Sequence, residues 1–65
     1  MRKADYSWLA ALIKIEIVGA KSQLLDNPHN AVQLERLDLA RHLGIAFANR
    51  ASVDRVAFLR ACGIE

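Results

Sequence analysis

Apolar positions recur on two sides of the first long segment of the chain. At about 100° per residue, one helical surface holds Tyr6, Leu9, Ile13, Ile17, Ala20 and Leu24. The opposite surface holds Trp8, Ala11, Leu12, Ile15, Val18 and Gly19. Polar residues separate the two surfaces, with Ser7, Lys14 and Lys21 along one border and Asp5, Glu16 and Gln23 along the other. The pattern predicts a helix from about Asp5 to Leu25, capped by Asp5 or Ser7, that needs cover on nearly all sides.

Part of the same segment also fits a strand. Ile13, Ile15 and Ile17 alternate with Lys14 and Glu16, which is the two-residue period of a β-strand. The flanking stretches are rich in alanine and leucine and favour a helix. A short strand that pairs within a dimer remains the alternative.

A polar segment over residues 26–29 predicts a turn after the first helix. Pro28 cannot continue a helix and biases the residue before it away from helical angles. Asn30 then caps a second helix, with Gln33 three residues later in a capping-box arrangement. We predict that this helix runs from Asn30 to about Ala48. Its apolar arc holds Val32, Leu37, Leu39, Ala40, Leu43, Gly44 and Phe47. Its polar side holds Glu35, Asp38, Arg41 and His42, together with an exposed Leu34 and Ile45.

A third helix follows from the phase of the pattern. Extending the second helix would place Asp54 and Arg55 inside its apolar arc. A restart with Ser52 as the N-cap removes this conflict, because Asp54 then lies in the first turn, where the helix dipole favours an acid. We predict the third helix from Val53 to Cys62, with Gly63 as its stop. The chain is thus expected to be one all-α domain over residues 1–65, with a long first helix, a second helix and a short third helix.

Length and cysteine content bear on assembly and location. A chain of 65 residues has room for one small core and is marginal alone. We therefore expect a homodimer in which a second copy covers the surface of Trp8, Leu12, Ile15 and Val18. Cys62 is the only cysteine, so no disulfide can form within one chain, and a small buried thiol in the reducing cytoplasm is the simplest interpretation.

The residues that could carry chemistry are few. His29 and His42 are the only histidines and lack partners at metal-ligand spacing, so we expect no metal. The chain has no glycine-rich phosphate loop or nucleophile elbow, and we expect no cofactor, no small-molecule substrate and no enzymatic activity. We also expect no membrane partner, because the start resembles no secretory signal and the first apolar run is too short to span a bilayer.

One stretch resembles the helix-turn-helix family of DNA-binding proteins. Residues 39–45, LARHLGI, are similar to the first helix and turn of that motif, and residues 52–56, SVDRV, are similar to the start of its recognition helix. The resemblance implies base contacts by Ser52 and Arg55 and phosphate contacts by Arg50 and Arg60. The match departs from the family in spacing, because residues 46–51 exceed the usual turn of about 3–4 residues.

These observations favour protein binding as the function. The leading hypothesis is a homodimer that binds another protein as an adaptor, inhibitor or regulator, by analogy with small proteins of mobile genetic elements. The alternative is a DNA-binding regulator of the helix-turn-helix type, which the net charge of +2 permits without demanding it. A third hypothesis is a subunit of a larger helical assembly.

Overall fold

Three helices make up the part of the chain that the structure, a computed structural model, describes: residues 3–50 and 54–64. They are α1 (Lys3–Asp26), α2 (Ala31–Arg50) and α3 (Arg55–Ala61). The expected all-α fold is confirmed, and the strand alternative is wrong, because residues 13–17 lie within α1 and no described residue is in a strand. The helices pack into a body of 37 × 17 × 16 Å.

The ends of α1 and α2 differ from those expected from sequence. α1 begins at Lys3, so Asp5 and Ser7 lie inside the helix and do not cap it. α2 continues two residues past Ala48 to Arg50. It also passes through Gly44 without a break. Gly44 is therefore a packing position within a helix and does not belong to a turn.

A short turn joins α1 to α2, as Pro28 predicts. The Asn27 side-chain oxygen accepts a hydrogen bond from the His29 amide at 3.2 Å, a local bond typical of turns. The Asn30 side-chain oxygen accepts from the Gln33 amide at 3.3 Å. This bond satisfies one of the unpaired amides at the start of α2, so the prediction of Asn30 as a cap is confirmed.

Small residues bring α1 and α2 close together in an antiparallel hairpin. A Cβ atom added at Gly44 would lie 3.7 Å from Cγ2 of Ile13, and one added at Gly19 would lie 2.9 Å from a guanidinium nitrogen of Arg36. The earlier part of α1 therefore lies beside the later part of α2. The buried residues of the two helices are Ala10, Ile13, Ile17, Ala20, Ala40, Gly44 and Ala48.

The third helix closes one end of this hairpin. Phe58, Leu59 and Cys62 are buried against it, and the ring of Phe58 meets that of Tyr6 edge to face, with centroids 6.2 Å apart. Cys62 and Ile64 lie over Gly44, where an added Cβ would be 2.5 Å from Cδ1 of Ile64. Gly44 therefore provides the space in which the end of the chain packs.

Both ends of α3 are capped, and the first cap corrects the sequence prediction. The Asp54 carboxylate accepts hydrogen bonds from the amides of Val56 and Ala57 at 3.0 and 3.2 Å. Asp54 is thus the N-cap and the helix starts at Arg55, whereas the expected cap, Ser52, lies outside the described residues. Gly63, at φ 78°, ends the helix as predicted.

The packed face of α2 is the second correction. Val32, Leu39 and Leu43 were expected in its apolar arc, but they are 70%, 61% and 45% exposed. The rest of the expected arc is confirmed, because Ala40 and Gly44 are buried and Leu37 and Phe47 are half-buried against the core, and Ala48 completes the buried ridge. Small side chains let two helix backbones approach closely, and the larger leucines then lie beside the contact. Leu34 and Ile45 are exposed, as expected.

Candidate protein-binding surface

The side of α1 that points away from α2 and α3 is apolar and exposed. Trp8, Leu12, Ile15 and Val18 are 68%, 41%, 62% and 55% exposed, and Ala11 among them is also exposed. We call these five residues the outer face of α1. The structure thus brings together all four residues that the sequence nominated as an interface.

The opposite side of α1 is buried as the sequence predicts. Ile13 and Ile17 are 6% and 1% exposed, while Tyr6, Leu9 and Leu24 are half-buried. The helix therefore uses one apolar surface for its own core and leaves the other in solvent. A continuous apolar surface with a tryptophan is typical of sites at which proteins bind one another.

An ion pair between α1 and α2 runs beside the outer face. Nε of Arg36 donates to a carboxylate oxygen of Glu16 at 2.8 Å, and Nη1 of Arg36 donates to the side-chain oxygen of Gln33 at 3.2 Å. Gly19 gives the guanidinium room to lie against α1. The helical pattern alone does not predict this contact, because Glu16 and Arg36 lie 20 residues apart on different helices. The pair joins the border of α1 next to the outer face to α2.

A second exposed surface lies on α2. Residues of this helix line a shallow depression of about 380 Å³: Leu34, Glu35, Leu37, Asp38 and Arg41. Nδ1 of His42 lies 3.6 Å from a carboxylate oxygen of Asp38 one turn away, and both side chains are well exposed. A solvated contact of this kind contributes little to stability.

The residues that were nominated for DNA contact lie at the end of α2 and on α3. Arg50 is exposed at the end of α2, and Arg60 is exposed on α3. Nε of Arg55 donates to the side-chain oxygen of Asn49 at 2.8 Å, which holds this guanidinium against α2. Ser52 lies outside the described residues. The helix that would read DNA has seven residues, and its N-cap is an acid, which repels phosphate.

Chemical groups are sparse within the described residues. None of their charged or polar side chains is buried, and no three His, Cys, Asp or Glu side chains among them lie close enough to hold a metal ion. Burial raises the pKa of the Cys62 thiol above its ordinary value, so the protonated form is favoured. The described Cys62 is a packed apolar residue, as expected from the sequence.

Within the part that the structure describes, no helix has the length and apolar character needed to cross a bilayer. Comparison with protein-family models, with curated proteins and with solved structures finds no match for this chain.

Proposed function

We propose that this protein acts by binding another protein molecule through the outer face of α1, as an adaptor, inhibitor or regulator without catalytic activity. The observation that carries the proposal is the exposure of Trp8, Leu12, Ile15 and Val18 on one side of a single helix. Apolar surface gains free energy when it leaves water, at about 25 cal/mol per Å². A surface of this kind favours occupation by protein.

The packing of α1 supports the proposal. Ile13 and Ile17 bury its opposite side in the core, and the Glu16–Arg36 ion pair joins it to α2. Because the helix is already formed and packed, binding through the outer face does not have to order its backbone, which favours affinity. The lone, buried Cys62 is compatible with the reducing cytoplasm, where we place this activity.

Site-specific photo-crosslinking tests the proposal. The photoreactive residue p-benzoylphenylalanine would replace Trp8 in one variant and the exposed His42, on α2, in a matched control. After irradiation in the native lysate, we expect covalent adducts with protein from position 8 and not from position 42. Adducts would be identified by mass, and a second copy of the chain counts as a protein partner.

A second variant separates binding through the face from random collision. Ile15→Lys places a charge in the centre of the outer face, and a buried, unpaired charge is strongly unfavourable. Adding this substitution should abolish the adducts from position 8, whereas Lys14→Ala, on the polar border, should leave them. Equal adduct yields from positions 8 and 42, or no adduct at position 8, would rule out the proposed binding surface.

A further inference from the structure

The side of α1 that holds the outer face also carries a heptad pattern along the length of the helix. Seven positions follow one another at alternating intervals of four and three residues, and we call them the seam: Ala4, Trp8, Ala11, Ile15, Val18, Ser22 and Leu25. All seven are exposed. An alternation of this kind is the signature of a helix that packs lengthwise against another helix in a coiled coil. The occupant that fits it is therefore a helix, aligned with α1 over about three heptads.

The borders of these seven positions carry opposite charges at the end of α1. Lys21 lies on one border and Asp26, five residues further along, lies on the other. Lys21 and Asp26 are exposed and make no ion pair with any described residue. This pair of charges on opposite borders can be complementary between two copies of the helix.

The direction of the partner helix follows from this arrangement. When two identical helices run parallel, the border of Lys21 in each copy faces the border of Asp26 in the other, and a residue on the first border meets the position five further along on the second. Lys21 then lies beside Asp26 of the second copy, and the reciprocal pair forms by symmetry. When the helices run antiparallel and overlap over their full length, like borders meet, so Lys14 approaches its own counterpart and the pairing of Lys21 with Asp26 is lost.

We propose that the outer face of α1 binds a second copy of this chain in parallel orientation and in register. This inference rests on the proposed function and names the partner. The identities at the seam agree with it, because a β-branched residue at Ile15 with a leucine at Leu25 favours two-stranded pairing.

The exposed area is sufficient for such a dimer. The exposed parts of Trp8, Leu12, Ile15, Val18 and Leu25 amount to on the order of 600 Å², so two copies would bury roughly 1,200 Å² in total, the lower end of stable interfaces. Its two-fold symmetry is the commonest among soluble oligomers.

Charge reversal at the border tests the orientation. Lys21→Glu and Asp26→Lys should each raise the dimer dissociation constant about tenfold, because each turns two attractive pairs into repulsive ones. An equimolar mixture of the two variants should form a heterodimer as tight as the wild type, since both cross-chain pairs are then attractive. Sedimentation equilibrium and native mass spectrometry measure these species. Arg41→Glu and Glu35→Lys, on α2, carry the same charge changes and serve as controls.

A disulfide tests the register independently. In the parallel dimer, Ser22 faces its own counterpart, so Ser22→Cys should give a disulfide-linked dimer on mild oxidation. Gln23→Cys, one position off the seam, and the wild-type chain with its buried Cys62 should not. In an antiparallel pair, the two Ser22 positions lie too far apart for the distance of about 4.4–6.8 Å that a disulfide requires between Cα atoms.

The outcomes separate this inference from the proposed function. Tighter association of Lys21→Glu than of the wild type, or a mixture no tighter than its components, would overturn the parallel arrangement. A wild-type chain that stays monomeric at hundreds of micromolar would overturn the second copy as partner. In that case an adduct between position 8 and a different protein would still support binding through the outer face.

Discussion

Two isoleucines on α1 provide the sharpest test of its two-sided character. Ile17 is 1% exposed and lies in the core, whereas Ile15, on the same helix, is 62% exposed on the outer face. Ile17→Ala removes buried methyl and methylene groups and leaves a cavity, so we expect it to lower the free energy of unfolding by about 2–5 kcal/mol. At about 0.05–0.15 kcal/mol per residue, this loss is a large share of the stability of so short a chain.

Ile15→Ala should act on association and leave the fold of the single chain nearly unchanged. At dilutions where the chain is monomeric, the substitution should change the free energy of unfolding by no more than about 0.5 kcal/mol, since alanine is also the better helix former. In the dimer, the exposed 62% of Ile15 becomes buried, which contributes about 1–2 kcal/mol per chain. The cost of Ile15→Ala should therefore appear only as the concentration rises.

Urea denaturation followed by far-ultraviolet circular dichroism measures both effects when it is repeated from low micromolar to near-millimolar protein. The wild-type midpoint should rise with concentration, because association stabilises the folded state by mass action. The midpoint of the Ile15 variant should rise less, and Ile17→Ala should lower the midpoint at every concentration. Equal losses for the two variants in dilute solution would refute their placement on opposite faces. A concentration-independent effect of Ile15→Ala would refute burial of the outer face by association.

Three further predictions concern α3. Asp54→Ala removes the N-cap bonds and should lower the free energy of unfolding, measured by urea denaturation, by about 0.5–2 kcal/mol. Asp54→Asn should retain most of the stability that the cap provides. The Cys62 thiol should resist iodoacetamide at mildly alkaline pH and react once urea unfolds the chain. Burial raises the pKa of this thiol. The protonated thiol should therefore stabilise the fold at pH values below the ordinary thiol pKa, and this stabilisation should decline as the pH rises above that pKa. Titration with duplex DNA near physiological salt should show weak binding that added salt removes, and sequence-selective nanomolar binding lost on Arg55→Ala would favour the DNA-binding alternative.

Much of α1 and of the turns could be predicted from sequence because their determinants are local. The two surfaces of α1 differ in position around one helix, and the polar borders between them fix the phase. Pro28 ends a helix by its own covalent geometry, and Gly63 adopts the positive φ that other residues resist. The four residues nominated for the interface follow from the same local periodicity.

The face of α2 could be predicted only in part. Periodicity gives leucine more weight than alanine, so the expected arc included the exposed Leu39 and Leu43 beside the buried Ala40 and Gly44 and left out the buried Ala48. The small residues are the buried ones because α1 and α3 both approach α2 closely there. That approach depends on the tertiary structure and not on the local sequence.

The start of α3 posed a different difficulty. Ser52 and Asp54 are both good N-cap residues, and the sequence offers no signal that separates them. The structure places the carboxylate of Asp54 on the amides of Val56 and Ala57, so the helix begins at Arg55.

The arrangement around α1 explains why its outer face is left exposed. On one side, Gly63 at the end of α3 lies against Lys14, where an added Cβ would be 3.5 Å from Cγ of the lysine. On the other side, the Glu16–Arg36 pair joins α1 to α2, and the side between these two is filled by the core. The only direction left open is the one directly away from α2, and the outer face points there. No described part of the chain reaches this direction, so within residues 3–50 and 54–64 the outer face stays exposed and open to a partner.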